Sequence, residues 1–428
     1  MSKRIVFLIS VLMIASMALA ACATPQAAPT TAATQAPAQT QAPAAQTQAP
    51  AASGAPAACQ SDPFGCAVIH PGETVKIGMG APMTGDNAAF GTDISQGAQI
   101  AIDDGGDVDG FKFELVADDD GGTPEGGAAV ANKLVSDPTV VAVAGHIFSG
   151  ATASAIPIYE KAGIPMMSPS ATNPDLTKQG SKVFNRLVFT DAAQGKFAAE
   201  YLYNKLGIKK LAIMHDGQAY GQGLAEVVRD EYTKLGGDVV AFEAITPGEA
   251  DYSAPLADIA SKGPEALYYG GYTQEGVVIV NQMKTAGLNN VIFFGDDGTF
   301  GQDFLDRTGA NGEGAYSTSL IPPASEAKTK FDQTYKEKYG TEAGKLSPYT
   351  WTAYDSAAVL IDTIKKVAIK GDDGNLYVPR GALVDAVRNI KDYKGLSGTV
   401  TCNSTGECSS SGPTFYVIQN GKWVEAPQ

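Results

Sequence analysis

Residues 140–174 read VVAVAGHIFSG, then ATASAIPIYEKAG, then IPMMSPSATNP, and they predict a complete strand–helix–strand unit. The apolar run Val140–Gly145 has the length and composition of a buried strand, and Ile164–Ser168 repeats that pattern. The segment between them, roughly Ala151–Lys161, has the spacing of a helix. Two buried strands joined by a helix are typical of a parallel α/β sheet.

Small hydroxyl residues stand where both predicted strands end. Ser149 follows the first strand, and Ser168, Ser170 and Thr172 lie at the end of the second. Ligands of parallel sheets bind beyond the carboxyl ends of the strands, where helix amino termini offer free N–H groups that suit an anion. We therefore expect the anion-binding half of a small-molecule site here. The alternative is that these hydroxyls only cap helices and shape turns.

Strand and helix patterns alternate from Glu73 to Leu320, which predicts parallel sheets with helices on both faces. The roughly 370 residues that follow the amino-terminal region exceed one comfortable core, so two lobes are expected. After Leu320 the pattern turns helical and ends in a short β-rich tail. The further predicted strands are Thr74–Gly80, Lys112–Asp118, Val183–Phe189, Lys210–Asp216, Asp238–Ile245, Glu265–Gly271, Asn290–Gly295, Gly314–Leu320 and Thr414–Gln419.

The amino-terminal region is predicted to export and anchor the protein. Residues 1–21 place two basic residues before an apolar run that is too short to span a bilayer, as in a signal peptide. Leu19–Cys22 resembles the lipobox of bacterial lipoproteins, which implies a lipid on Cys22. An ordinary signal peptide is the alternative. Residues 22–58 are rich in Ala, Pro, Gln and Thr and carry no charge, which predicts a disordered tether.

Charge and cysteine usage narrow the possible partners. The chain has 31 Lys and Arg against 46 Asp and Glu, a net charge of −15, so we expect no nucleic-acid binding. Apart from Cys22, the cysteines form two local pairs, which in an exported protein favours the disulfides Cys59–Cys66 and Cys402–Cys408. A zinc site is the rival, but the three histidines are scattered. We expect neither a metal nor a cofactor.

The enzyme motifs that the chain suggests are incomplete, so we expect a protein without catalytic activity. The glycines after the first core strand do not have the G-x-G-x-x-G spacing of a dinucleotide loop. Ser149 is not in a G-x-S-x-G elbow, because Ile147 stands where the first glycine belongs. The acidic run Asp118–Asp120 lacks the ligand order of a calcium loop.

A series of motifs resembles the branched-chain amino-acid binding proteins, the Leu/Ile/Val-type receptors of ABC importers. The motifs occur in family order and cover most of the segment from Glu73 to Leu320. They are GMGAPMTGDNAAFG (Gly78–Gly91), AVAGHIFSGAT (Ala142–Thr152), SPSATNPDLT (Ser168–Thr177), RLVFTDAAQG (Arg186–Gly195), HDGQAYGQGLA (His215–Ala225), DYSAPL (Asp251–Leu256), YYGGYTQEG (Tyr268–Gly276) and FFGDDG (Phe293–Gly298).

The resemblance implies a type I periplasmic-binding-protein fold. In that fold two doubly wound parallel-sheet α/β lobes are joined by three crossovers and close on a ligand as a hinge. The crossovers are expected near Thr190, Ser319 and Leu396. The expected division is residues 59–190 plus 319–396 in lobe 1 and residues 191–318 plus 397–428 in lobe 2.

The resemblance also implies a ligand site. Its residues are Phe90, Ser149, Ser170, Ala171, Thr172, Tyr220, Tyr272, Asp297 and Gly298. Ser149, Thr172 and nearby N–H groups would hold an α-carboxylate. Asp297 and the carbonyl near Ala171 would hold an α-ammonium, and the aromatic residues would line the side-chain pocket. One acid, several hydroxyls and no basic side chain suit a zwitterion with an apolar side chain.

The implied function is a monomeric extracytoplasmic receptor that is lipid-anchored to the cell membrane. It would capture Leu, Ile, Val or another neutral amino acid and deliver it to an ABC permease. The alternatives are a short amide, urea or an aromatic amino acid as ligand, or a role as a sensor ectodomain. Two departures from the family motivate the alternative ligands. Asp297 stands where a Glu is familiar, and Phe148 and Gly121, or a near neighbour, replace a disulfide beside the site.

Overall fold

The computed structural model describes residues 55–408 and 412–427. The predicted signal peptide, the lipid-carrying Cys22 and the tether as far as residue 54 lie outside the described residues. The predicted end of the tether at residue 58 is wrong, because a short helix, α1, already begins at Ala57. In the described part of the chain, no helix combines the length and the apolar character that crossing a bilayer requires.

The first part of the chain, up to residue 190, alternates strands with helices. The strands are β1 (Cys66–Ile69), β2 (Val75–Ala81), β3 (Asp107–Val108), β4 (Phe111–Asp119), β5 (Val140–Val143), β6 (Met166–Ser168) and β7 (Phe184–Arg186). The helices are α1 (Ala57–Ser61), α2 (Ala88–Asp104), α3 (Pro124–Ser136), α4 (Ser149–Ala162) and α5 (Asp175–Lys178).

Residues 191–319 repeat this alternation. The strands are β8 (Lys210–His215), β9 (Asp238–Ala244), β10 (Ala266–Gly270), β11 (Ile292–Phe294) and β12 (Tyr316–Ser319). The helices are α6 (Asp191–Glu200, continued by a π-turn over Tyr201–Lys205), α7 (Ala219–Lys234), α8 (Ser253–Ser261), α9 (Thr273–Met283) and α10 (Gln302–Thr308), with 3₁₀ turns at Asp297–Thr299 and Gly309–Gly312.

The last part of the chain is helical first and then β-rich. Its helices are α11 (Glu326–Tyr339), α12 (Thr350–Val367) and α13 (Arg380–Arg388). Its strands are β13 (Ile369–Lys370), β14 (Leu376–Pro379), β15 (Tyr393–Lys394), β16 (Thr399–Val400), β17 (Thr414–Gln419) and β18 (Lys422–Glu425).

Two large sheets organise the described residues. One has six strands in the order β3-β4-β2-β5-β6-β7, all parallel except β3. The other has seven strands in the order β18-β17-β12-β11-β10-β8-β9, where β17 and β18 are antiparallel additions to a parallel core. Each sheet is the centre of one lobe, so the predicted α/β architecture is confirmed. We call the six-stranded body lobe 1 and the seven-stranded body lobe 2.

The strand–helix–strand unit of residues 140–174 forms because its sequence is locally consistent. All four residues of β5 are buried, as their continuous apolar run predicts. Helix α4 ends at Gly163, which takes the left-handed conformation (φ 65°) that favours glycine. The preceding helix α3 begins with Thr123 as its cap and Pro124 at its first position. These signals direct β5 and β6 into one parallel sheet.

The chain enters lobe 2 between β7 and α6, returns to lobe 1 after β12, and enters lobe 2 again before β17. The predicted last boundary at Leu396 is therefore too early. Residues as far as Cys408 stay with lobe 1, because the Cys408 N–H donates to the Arg186 carbonyl at 3.0 Å. Glu407 forms a parallel bridge with the same strand. The last crossover thus lies between Cys408 and Thr414.

Both cysteine pairs are disulfide-bonded, and both close small loops on lobe 1. In the loop of Cys59 and Cys66, the Asp62 carboxylate accepts hydrogen bonds from the Gly381 and Ala382 N–H groups at 2.9 and 3.0 Å. Asp62 thereby caps α13 from a distant part of the sequence. The loop of Cys402 and Cys408 packs against β7.

Candidate ligand-binding site

The predicted site residues follow the carboxyl ends of strands from both sheets. Ser149 and Ser170 follow β5 and β6 in lobe 1. Tyr220, Tyr272 and Asp297 follow β8, β10 and β11 in lobe 2. Because parallel strands of one sheet end at the same edge, these side chains converge where the two lobes meet.

A small cavity of about 10 Å³ lies at this meeting point. That volume is room for about one water molecule, so the lobes must separate before a ligand of several heavy atoms can enter. Its lining residues are Phe90, Ile147, Phe148, Ser149, Ser170, Tyr220, Tyr272, Asp297, Gly298 and Tyr349. Seven of the nine predicted ligand-binding residues are among them, whereas Ala171 and Thr172 are not.

Serine hydroxyls form one end of the cavity. Ser170 Oγ donates to the Ile147 carbonyl at 2.7 Å, so it can only accept from a ligand. Ser149 Oγ accepts from the Asn173 N–H at 3.3 Å, and its own proton has no acceptor among the described residues. Ser149 is also the first residue of α4, where the helix dipole favours negative charge. This end of the cavity is suited to an anionic group.

The loop behind these serines does not offer all the groups that were predicted. The N–H groups of Ser170 and Ala171 point to Ser168 Oγ at 3.4 and 3.0 Å. The Ala171 carbonyl, predicted to hold an ammonium, accepts from Arg186 Nη1 at 2.9 Å and lies outside the cavity. Of the predicted backbone donors, only the Thr172 N–H has no partner among the described residues, and Thr172 lies behind the lining residues rather than among them.

Asp297 forms the opposite end of the cavity and is fully buried. Its Oδ1 accepts from Tyr220 Oη at 2.7 Å and from Gln194 Nε2 at 2.5 Å. Its Oδ2 accepts from Tyr349 Oη. Burial raises the pKa of Asp297 to about 6, although the Tyr220 and Gln194 hydrogen bonds favour the charged form.

Two further buried acids lie behind Asp297. Burial, reinforced by the charge of Asp297, raises the pKa of both Asp191 and Asp296 well above the ordinary value. One carboxylate oxygen of Asp191 and one of Asp296 have no hydrogen-bond partner in the described part of the protein. No Lys, Arg or His is among the described residues that line the cavity. This end of the cavity therefore favours a cationic group.

Aromatic rings close the remaining wall across the two lobes. Phe148 of lobe 1 stacks on Tyr272 of lobe 2, with ring centroids 4.1 Å apart and planes inclined by 14°. Phe90 meets both rings edge-on, at 5.6 and 6.2 Å. A Cβ atom on Gly122 would lie 2.8 Å from the Phe148 ring. Gly122, the neighbour of Gly121, thus leaves room for the Phe148 ring.

Tyr349 and Gln194 were not among the predicted site residues. Gln194 lies inside a motif that resembles the family, but only its contact with Asp297 distinguishes it from an ordinary helix residue. Tyr349 lies in the segment that returns to lobe 1, beyond the matching motifs. Its one signal is that it directly precedes a helix, α12, as Tyr272 directly precedes α9.

Comparison with protein families agrees with this geometry. Residues 74–419 match the family model described as periplasmic binding protein. The chain belongs to this family. An amino acid binding protein of Pseudomonas aeruginosa is 36% identical over 295 residues, which cover 67% of this chain and 76% of the relative. A Leu/Ile/Val-binding protein homologue of Brucella melitensis is 30% identical over 82% of this chain and 93% of the relative.

Solved structures of the family have the same fold. The leucine-binding protein LivK of Thermotoga maritima superposes with a TM-score of 0.75 at 30% identity, over 83% of this chain and 98% of that protein. The branched-chain amino acid transporter substrate-binding protein LivJ of Streptococcus pneumoniae, solved with isoleucine, gives 0.73 at 31% identity, over 82% and 98%. The type I periplasmic-binding-protein fold is thereby confirmed.

Proposed function

We propose that this protein is an extracytoplasmic receptor that captures a neutral amino acid between its lobes. It delivers the amino acid to the permease of an ABC importer. The observation that carries the proposal is the polarity of the cavity. Asp297 is at one end, the Ser149 hydroxyl and the α4 amino terminus are at the other, and aromatic rings lie between them.

This polarity matches the α-groups of an amino acid. A ligand ammonium would compensate the buried charge of Asp297, for which the cavity wall supplies no basic side chain. The carboxylate would accept from Ser149 Oγ and the Thr172 N–H, and each charge-assisted hydrogen bond contributes about 1.5–3 kcal/mol. The relatives that are named for Leu, Ile and Val support an apolar side chain lying against Phe90, Phe148 and Tyr272.

Binding would couple to closure, because each lobe supplies one half of the site. Ser149 and Phe148 belong to lobe 1, and Tyr272 and Asp297 to lobe 2. A ligand that contacts both halves stabilises the closed arrangement. We further propose that the protein works as a monomer, anchored to the membrane through a lipid on Cys22. The tether would let it reach the permease.

A short amide or urea is the second candidate class of ligand. Asp297 is compatible with it, because a carboxylate accepts hydrogen bonds from the neutral N–H groups of an amide or urea as well as from an ammonium. An aromatic amino acid would use the stacked rings instead. In the sensor alternative, the same closed form would contact a signalling protein in place of a permease.

The test is calorimetric titration of the purified protein, freed of ligand by dialysis from denaturant, with leucine, isoleucine, valine, phenylalanine, acetamide and urea. Micromolar or tighter binding of an aliphatic amino acid, about −8 kcal/mol or better, is expected. Binding of acetamide or urea alone would show that the ligand belongs to the second class, the short amides and urea. Copurification with permease subunits distinguishes the importer from the sensor role.

A further inference from the structure

Arg186 is the one arginine that lies close behind the serine end of the cavity, among the described residues, and its side chain is fully buried. Nε and Nη2 donate to the two Glu407 oxygens at 2.8 and 2.7 Å. Nη2 also donates to Thr177 Oγ1 at 3.2 Å. Nη1 donates to the carbonyls of Ala171 and Asn173 at 2.9 and 2.7 Å. These acceptors use all five guanidinium N–H groups, so none is left for a ligand.

The two carbonyls that Arg186 holds belong to the loop beside Ser149. In a trans peptide the carbonyl and the following N–H point in opposite directions. The contact between Arg186 and the Ala171 carbonyl therefore turns the Thr172 N–H away from the guanidinium. On the far side of the loop, the Asn173 N–H donates to Ser149 Oγ in the cavity wall. Arg186 and the wall thus hold this loop from opposite sides.

Glu407 in turn holds Arg186 from the loop that the Cys402–Cys408 disulfide closes. The Glu407 side chain is 25% exposed, whereas that of Arg186 is completely buried. Thr177 Oγ1 also donates to Glu407 Oε1 at 2.7 Å. The disulfide loop is therefore connected to the anion-binding loop through one ion pair.

We propose that Arg186 and Glu407 are positioning residues that set the orientation of the Thr172 N–H and the Ser149 hydroxyl for a ligand carboxylate. The inference rests on the proposed function, because it assigns a role within that same site. It makes the disulfide loop of Cys402 and Cys408 a determinant of carboxylate recognition. Neither Glu407 nor either cysteine touches the cavity.

The experiment measures the affinity of the whole protein for L-leucine and for L-leucinamide, which keeps the ammonium and the side chain but lacks the carboxylate. Glu407→Ala is expected to weaken leucine binding about tenfold, the size of one lost charge-assisted hydrogen bond. Leucinamide binding should change less than twofold. Glu407→Gln keeps one acceptor for Arg186 and is expected to give an intermediate ratio, which also provides a folded variant if the alanine protein is too unstable.

The matched control is Asp62→Ala. Asp62 is also an acid within a disulfide loop of lobe 1, but it caps α13 and has no contact with residues 168–173. This variant should melt at a lower temperature and keep the wild-type ratio of the two affinities. If the ratio of the leucine and leucinamide affinities is unchanged in both Glu407 variants, the inference is overturned and the proposed function stands. Wild-type protein that binds neither compound would overturn the proposed function and the inference with it.

Discussion

At the scale of single residues, Asp297 is expected to make ligand binding pH-dependent. Its pKa of about 6 applies to the site without ligand, and a bound ammonium would lower it by favouring the carboxylate. Affinity should therefore be constant above pH 6 and fall as the pH drops below 6, by up to tenfold per pH unit. Calorimetric titrations with leucine between pH 7.5 and 4.5 measure this profile.

The variant that checks this assignment is Asp297→Asn, which keeps the size of the side chain and removes its charge. It is expected to bind leucine at least tenfold more weakly at pH 7, a loss of about 2 kcal/mol. Its affinity should also be nearly independent of pH between 7 and 5. A variant that kept the wild-type pH profile would show that another acid, Asp191 or Asp296, is responsible.

Phe148 is expected to limit the length of the ligand side chain, because its ring stacks on Tyr272 across the cleft. Phe148→Ala should shift preference from valine towards leucine and phenylalanine, since each buried methylene contributes about 0.8 kcal/mol. The ratio of affinities within one variant is the measurement. Phe197→Ala is the matched control, because Phe197 also stacks on a ring, that of Phe415, but remote from the cavity. A shift in both variants would contradict the prediction.

The residues of the site differ in how well the sequence could predict them. Some site residues each follow a strand end within a matching motif, as Ser149, Tyr220 and Asp297 do. Their place in the site and their chemical role could therefore both be predicted. The role of Ala171 could not be predicted from the sequence. The direction of its carbonyl depends on Arg186, which contacts it only in the folded protein. Tyr349 reaches the site from a segment that returns to lobe 1 late in the chain, and its position before a helix does not by itself indicate a ligand contact.

At the scale of elements, a buried carboxylate joins three helices of lobe 1. Asp93 of α2 is completely buried and accepts hydrogen bonds from Tyr335 Oη of α11 at 2.8 Å and from Thr350 Oγ1 of α12 at 2.8 Å. Ser347 Oγ donates to it at 2.6 Å. Burial raises the pKa of Asp93 to about 6 against these hydrogen bonds. The Asp93 carboxylate therefore destabilises the folded state when it is charged.

This junction predicts a pH dependence of stability. Because the pKa of Asp93 is about 6 in the folded state and 3.8 ordinarily, the folded state binds the proton more tightly. Its contribution to stability is full below pH 4 and is lost as the pH rises through 6. The variant Asp93→Asn does not titrate. The difference in unfolding free energy between wild type and variant should change by about 2 kcal/mol between pH 7 and 4. Urea unfolding of both proteins at both pH values measures this difference. A difference that is the same at pH 7 and pH 4 would refute the prediction.

The elements themselves were predicted unevenly. The buried strands of both parallel cores were predictable as continuous apolar runs, as Ala266–Gly270 illustrates against the expected Glu265–Gly271. The three-stranded sheet of β1, β14 and β13 was missed. Its strands are short, and it pairs Cys66 with Pro379, residues that no local pattern connects. The end of lobe 1 was placed too early for the same reason, since the ion pair of Glu407 with Arg186 is a long-range contact.

At the scale of the whole molecule, a hydrogen bond at the edge of the cleft joins the two lobes. Asn173 Nδ2 of lobe 1 donates to the Ala219 carbonyl of lobe 2 at 2.5 Å. Asn173→Ala should destabilise the closed form by about 1 kcal/mol and weaken leucine binding about fivefold through faster dissociation. Stopped-flow measurement of the dissociation rate tests this effect.

The control for the closure prediction is Asn132→Ala. Asn132 Nδ2 also donates to a backbone carbonyl, that of Ala128 at 2.8 Å, but within α3 and away from the cleft. Its dissociation rate should equal that of the wild type. Equal rates in all three proteins would show that the contact of Asn173 does not limit opening.

The path of the chain between the lobes also bears on how the protein is made. Arg186 of β7 in lobe 1 lacks its ion-pair partner until Glu407 has been synthesised. Strand β12 of lobe 2 lacks its neighbouring strand until β17 has been synthesised. A ribosome adds about 5–20 residues per second, so the interval between Arg186 and Glu407 is on the order of ten seconds or more. Neither lobe can complete its core during that interval. Each lobe therefore lacks part of its structure until synthesis is almost finished, and the chain completes its fold only after nearly all of it has been made.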